Sequence, residues 1–398
     1  MSLARNIDLL RRLPKLNGLR LAETARGAGQ HSPLAEITGF GTNPGGLRMF
    51  AYLPSQLQQP RALVVVLHGC GQTAAAYDLG AGWSTLAKHY GFALLMPEQR
   101  RANNANTCFN WFNPEDIARD GGEACSIREM IAHMVSTHGI DARRIFITGL
   151  SAGGGMTSVM LATYPEVFAA GAVIAGLPYG VASNLRQALD GMFYSPDRPA
   201  RELGDLVRKA SNHRGPWPKI SVWHGSADRT VNPGNADEIV KQWLDLHELP
   251  PMPMAETVVD GYPRQAWWNA DGETIVESFA ITDMAHGTPL GVADNDHRYG
   301  MEGAFLIEAG ISSSYHIAKF FGLTDWIRSP HLAKKPAPAL SPAPHLARSI
   351  RVAVAEPQPN AKLKTKSGAK PKTKRRLDFG AVITRALTAA GLMKSSGP

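Results

Sequence analysis

A serine, an aspartate and a histidine, at positions 151, 228 and 286, are the side chains of this sequence whose types and order suit nucleophilic chemistry. Ser151 is the centre of Gly149-Leu150-Ser151-Ala152-Gly153, which fits the pattern G-x-S-x-G. An apolar run over 145–147 reads as a buried strand before it, and a helical run over 156–164 follows, stopped by Pro165. Strand, tight turn and helix are the context of a nucleophile elbow, in which a strained turn lifts the hydroxyl above the sheet. A serine hydroxyl is a poor nucleophile near neutral pH, so it needs a base and a third group to orient that base. Asp228 and His286 follow the serine in the order acid then base, each on a loop after a later strand. The accumulating oxyanion needs N–H donors. The Ala152 N–H, directly after the nucleophile, is one candidate. The Cys70 N–H, in the loop His68-Gly69-Cys70-Gly71, is the other.

Other residues compete for these roles. His68, His224, His297 and His316 qualify as bases by type. His68 precedes the serine, His224 lies too near Asp228 in sequence, and His316 falls inside a helical pattern. Asp190 and Asp283 are the alternative acids, although loop carboxylates are often turn formers. Trp111, in an aromatic loop, and Trp267 with Trp268, in a hairpin before His286, are expected to wall a substrate pocket. Cys70, Cys108 and Cys125 are too few for a disulfide framework, and the reduced state is favoured. A single pair including Cys108 is left open for an exported chain. No Cys/His spacing suits zinc, and Gly153-Gly154-Gly155 lacks the Gly-Lys-Ser/Thr of a phosphate loop. Neither a metal nor another cofactor is expected.

The elements that must position these groups follow from periodicity. The runs 62–67, 92–96, 145–147 and 168–175 are continuous and apolar, as strands covered on both faces are, and 219–223 reads as a further strand. Helical runs over 82–90, 126–138 and 235–246 alternate with them, which argues a parallel sheet with right-handed crossovers. Asp271-Gly272 reads as a hairpin turn between 265–270 and 274–281. The fold class is therefore α/β, with a mostly parallel central sheet flanked by helices and the chain order of an α/β-hydrolase.

Charge is divided along the chain. The net charge is +8, but residues 331–398 hold fourteen Lys and Arg against two Asp and Glu. The preceding residues hold 28 against 32, so the body is mildly acidic and the tail strongly basic. Residues 1–33 read as a leader, with a basic amphipathic helix near 9–13. They lack the apolar core and cleavage site of a secretory signal, which favours the cytoplasm over export. The catalytic domain is expected over 34–328, a disordered Pro/Ala- and Lys-rich linker over 329–376, and a short amphipathic helix over 377–394. The tail suits contact with an anionic surface or granule, whereas no specific nucleic-acid partner is expected.

Six segments together resemble esterases of the polyhydroxybutyrate depolymerase family, whose relatives include feruloyl and acetylxylan esterases. They are Leu67-His68-Gly69-Cys70-Gly71-Gln72-Thr73, Asn110-Trp111-Phe112, the elbow through Gly154, Tyr164-Pro165 with Phe168-Ala169-Ala170, His224-Gly225-Ser226-Ala227-Asp228-Arg229-Thr230-Val231, and Met284-Ala285-His286-Gly287. The resemblance implies an α/β-hydrolase with Ser151, Asp228 and His286 as its triad and the segment at Cys70 as its oxyanion loop. It implies an ester substrate, small or polymeric. Short hydroxyacid esters or polyhydroxybutyrate are the leading expectation, and a feruloyl or acetylxylan ester is the alternative. A reading from a different class is an inactive hydrolase scaffold that binds a polyanionic surface through its tail.

Overall fold

The computed structural model describes residues 31–59 and 61–324. The expected leader helix, the basic linker and the helix over 377–394 lie outside the described residues. In chain order the strands are β1 (Ala35–Ile37), β2 (Arg48–Tyr52), β3 (Leu63–Leu67), β4 (Ala93–Glu98), β5 (Ile145–Leu150), β6 (Ala170–Ile174), β7 (Lys219–Gly225), β8 (Ala255–Val259), β9 (Tyr262–Trp268), β10 (Thr274–Ile281), β11 (Thr288–Leu290) and β12 (Leu306–Glu308). The helices are α1 (Ala74–Ala81), α2 (Trp83–Tyr90), α3 (Pro114–Ile117), α4 (Gly122–His138), α5 (Ala152–Thr163), α6 (Leu185–Tyr194), α7 (Ala200–Ala210), α8 (Gly234–Leu246) and α9 (Ser313–Phe320).

Ten strands form one sheet in the order β1-β2-β4-β3-β5-β6-β7-β10-β9-β8. The six from β4 to β10 are mutually parallel, and antiparallel strands close both sides. The parallel runs read from the sequence fall on these strands. Their side chains alternate between two covered faces, which is why runs such as 62–67 and 92–96 are apolar throughout. On β3, Leu63, Val65 and Leu67 join the cluster containing Ile127, Met130, Met156 and Trp243. Val64 and Val66 join Tyr77, Trp83, Leu86 and Ile317 on the other face.

Two differences have local causes. The sequence reads as one helix over 82–90 in this stretch, and a further helix, α1, precedes it. Thr73 caps α1, its Oγ1 accepting from Ala76 N–H. Gly82 ends it at φ 78, and a Cβ there would stand 1.4 Å from the Tyr299 carbonyl oxygen. A second hairpin joins β8 to β9 through Asp260 and Gly261, at φ 48 and 86. Left-handed conformations at both central residues suit an Asp-Gly turn. Among the described residues, no helix is long and apolar enough to cross a membrane.

Candidate active site

β5, β7 and β10 are parallel, so their carboxyl ends share one edge of the sheet. Ser151 follows β5 there with φ 57 and ψ −117, a conformation that L residues rarely adopt. Its N–H donates to the Ile174 carbonyl oxygen at 2.9 Å, and its own carbonyl accepts from Gly155 N–H at 2.8 Å. The turn needs its glycines. A Cβ on Gly149 would lie 2.3 Å from the Gly153 oxygen, and a Cβ on Gly153 would lie 2.4 Å from the Leu67 oxygen.

Asp228 follows β7 and His286 follows β10, two adjacent strands. Ser226 N–H donates to Ile281 O, and Ala227 N–H to Met284 O, so the two loops are tied together. The His286 Nδ1 lies 2.6 Å from Asp228 Oδ2. A carboxylate only accepts, so Nδ1 carries the proton and Nε2 is left as the acceptor nitrogen. The residues are 7% and 5% exposed, so water does not weaken the pair much. Thr230 and Val231 N–H groups donate to Asp228 Oδ1 at 2.8 and 2.9 Å. Burial alone would raise the Asp228 pKa. The hydrogen bonds from His224 and His286 outweigh it and hold the carboxyl well below the usual range.

Ala152 is the first residue of α5, so its N–H has no acceptor within the helix. In the loop after β3, Gly69 N–H donates to Gln72 Oε1 and Gly71 N–H to Asn106 O. The Cys70 N–H between them meets no acceptor among the described residues. Buried His68 lies beneath this loop. Its Nε2 accepts from Gln99 N–H at 3.2 Å, so Nδ1 is the protonated nitrogen and donates to Gly69 O at 2.8 Å. Burial pushes the His68 pKa down to about 4, which keeps the ring neutral. Gln99 continues the network to the carboxyl of Glu123, which also accepts from Asn110. Burial pushes that carboxyl up to about 8. A strained serine, an oriented imidazole and free N–H groups are the parts an acyl transfer requires.

A family model described as esterase PHB depolymerase matches residues 47–252. Poly(3-hydroxyalkanoate) depolymerase C of Paucimonas lemoignei is 45% identical over 291 residues, covering 73% of this chain and 70% of the relative. The chain belongs to the PHB depolymerase esterase family. It is a carboxylic ester hydrolase. Acetylxylan esterase of Coprinopsis cinerea is 33% identical, with 64% of this chain and 69% of the relative covered. Feruloyl esterase B of Neurospora crassa is 31% identical, with 77% and 97% covered. The solved acetyl xylan esterase from Aspergillus awamori superposes with TM-score 0.61 at 24% identity, covering 73% of this chain and 99% of that one. That likeness establishes the α/β-hydrolase fold.

Three aromatic expectations need correction in this esterase. Trp268 pairs with Thr274, at the start of β10, because β9 runs antiparallel to β10. Both hairpin tryptophans therefore sit at the edge of the sheet opposite His286. Trp267 is 1% exposed and donates its indole N–H to Met252 O, while Trp268 is 37% exposed. Trp111 is core rather than pocket wall: it packs against Gly155, where a Cβ would meet its Cγ at 2.7 Å. The ring set beside His286 is that of Phe305, edge-on with centroids 5.9 Å apart, at the unusual φ of 63. Phe305 lies in an irregular segment whose sequence has no period to mark it. Of the competing histidines, His297 stacks edge-on with His89, and His316 pairs with Asp260 at 2.8 Å. Among the described residues no group of three or more His, Cys, Asp or Glu could hold a metal ion.

The cysteines also differ from the favoured reading. Cys70 and Cys108 form a disulfide, and Cys125 is free. The loop after β4 folds back over the loop after β3, held by the bond from Gly71 to Asn106, and this brings the sulfurs together. The cross-link spans 38 residues. The chain-entropy relation then gives about 4 kcal/mol of stabilisation. Reduction with a phosphine should lower the urea unfolding free energy by about that amount. It should also lower kcat roughly tenfold by loosening Cys70, the size expected for a partly misaligned donor. Paired unfolding and kinetic measurements check both effects, and unchanged values after verified reduction refute them.

Proposed function

We propose that Ser151, His286 and Asp228 act as a catalytic triad on esters of short hydroxyacids, including oligomers and polymers of 3-hydroxybutyrate. His286 Nε2 removes the Ser151 proton as Oγ attacks the ester carbonyl. The Cys70 and Ala152 N–H groups receive the oxyanion, and the protonated imidazole returns its proton to the leaving alcohol. Water, deprotonated by the same imidazole, then releases the acid from the acyl-enzyme. Asp228 holds the imidazole in its Nδ1–H tautomer and stabilises the imidazolium.

The buried 2.6 Å contact between Asp228 and His286, on loops at the same edge as the strained serine, carries this reading. The substrate class is supported by the 45% identity to the poly(3-hydroxyalkanoate) depolymerase, against 33% and 31% for the acetylxylan and feruloyl esterases. Purified protein should turn over a 3-hydroxybutyrate trimer ester at least about ten times faster than methyl ferulate or acetylated xylan, a modest difference in transition-state binding. Diethyl p-nitrophenyl phosphate should inactivate it with one adduct, on the peptide containing Ser151. A preference for methyl ferulate or acetylated xylan overturns the substrate class. An adduct elsewhere overturns the nucleophile.

A further inference from the structure

Asp228 Oδ2 is shared by two imidazoles. His286 Nδ1 reaches it at 2.6 Å, and His224 Nε2 at 3.1 Å. His224 is buried near the end of β7, four residues before Asp228, and its Nε2 also lies 3.0 Å from Val231 O. A backbone carbonyl can only accept, so His224 Nε2 carries a hydrogen and divides it between two oxygens. The Nδ1 on the other side of the ring is buried and has no partner among the described residues. A bare ring nitrogen tolerates that surrounding far better than a second, charged N–H would. The titratable groups facing this ring are Asp228 on its own turn, His286 from the loop after β10, and Asp237 in the first turn of α8.

We propose that His224 is a positioning residue: an imidazole that donates through Nε2 to Asp228 and fixes the carboxylate plane against His286. With Thr230 and Val231 holding Oδ1, the carboxylate is held at both oxygens. Rotation about its Cβ–Cγ bond would break at least one of these bonds and turn Oδ2 away from His286. The spacing of His224 to Asp228 suits this. The chain must leave the strand and double back within four residues, and Gly225 permits it because a Cβ there would lie 2.3 Å from Met284 O. This role rests on the triad reading above.

Two measurements on the full chain test it. In long-range nitrogen–proton spectra of protein with 15N-labelled histidine, His224 should appear with a hydrogen on Nε2. An Nε2 without a hydrogen overturns the proposal. The second measurement compares His224→Leu, which removes the donor, with His224→Gln, whose amide can replace it. His224→Leu should lose at least about tenfold in kcat with KM within about twofold, and His224→Gln should stay within about threefold of the parent. Equal losses in the two variants, or a full kcat in His224→Leu, overturn it. If His224→Leu does not fold, the tautomer and the kcat of His224→Gln decide the matter. Retained turnover in Ser151→Ala would instead sink the triad and leave the tautomer of His224 as it stands, so the two failures are separable.

Discussion

Ser151→Ala should lower kcat on p-nitrophenyl butyrate by at least about ten-thousand-fold and leave the unfolding midpoint almost unchanged. Alanine keeps the left-handed φ of 57 at the same steric cost as serine, so the elbow should still form. What disappears is the proposed nucleophile. The imidazole remains held by Asp228, and the Ala152 and Cys70 N–H groups stay in place. A residue of catalysis over water from the oxyanion donors should survive, as it does in other triad enzymes. Stopped-flow measurements should show no burst of nitrophenol, because no acyl-enzyme accumulates. Turnover within about tenfold of the parent would refute the assignment.

Gly153→Ala should destabilise the protein by about 3–5 kcal/mol, in the range reserved for severe single substitutions. The added methyl would meet Leu67 O at 2.4 Å, His68 O at 2.6 Å and Leu67 C at 2.7 Å. These are backbone atoms at the end of a central strand, so no side chain can rotate aside. Relief requires α5 to retreat from β3. That retreat would separate the Ala152 N–H from the Cys70 N–H, and kcat should fall at least about a hundredfold in the folded fraction. Gly272→Ala is the control. It has φ 78 but nothing within 4 Å of the new methyl, so only the left-handed cost of about 1–2 kcal/mol applies. Urea unfolding of both variants checks the contrast, and equal losses would show that close approach is not what Gly153 provides.

The parts of this molecule that sequence made legible are those where local pattern and backbone geometry coincide. The unbroken apolar runs at 62–67 and 92–96 read as strands covered on both faces. Gly149 and Gly153 flank a serine between such a strand and a helix, where contact distances leave no room for side chains. The pairing of Asp228 with His286 followed from chain order, since adjacent parallel strands deliver successive loops to one edge. The misread parts depend on direction or on distant contacts. Trp267 and Trp268 are near His286 in sequence, yet the antiparallel turn carries them to the other end of β10. Nothing in the segment around Trp111 distinguishes a ring facing the core from one facing a ligand. The bond between Cys70 and Cys108 depends on how two long loops fold over each other. His224 was set aside for its closeness to Asp228, and that closeness lets it reach the carboxylate.

The place of β10 in the sheet has a consequence for how the molecule matures. β10 is the last strand of the ten-stranded sheet to be made, and it docks on β7, while the elbow lies more than a hundred residues upstream. A ribosome-bound chain that has exposed only the elbow holds Ser151 without the proposed base, His286. Long-range strand pairing of this kind is slow relative to local helix formation. Ester-cleaving capacity should therefore arise only after β10 has been made and has docked on β7.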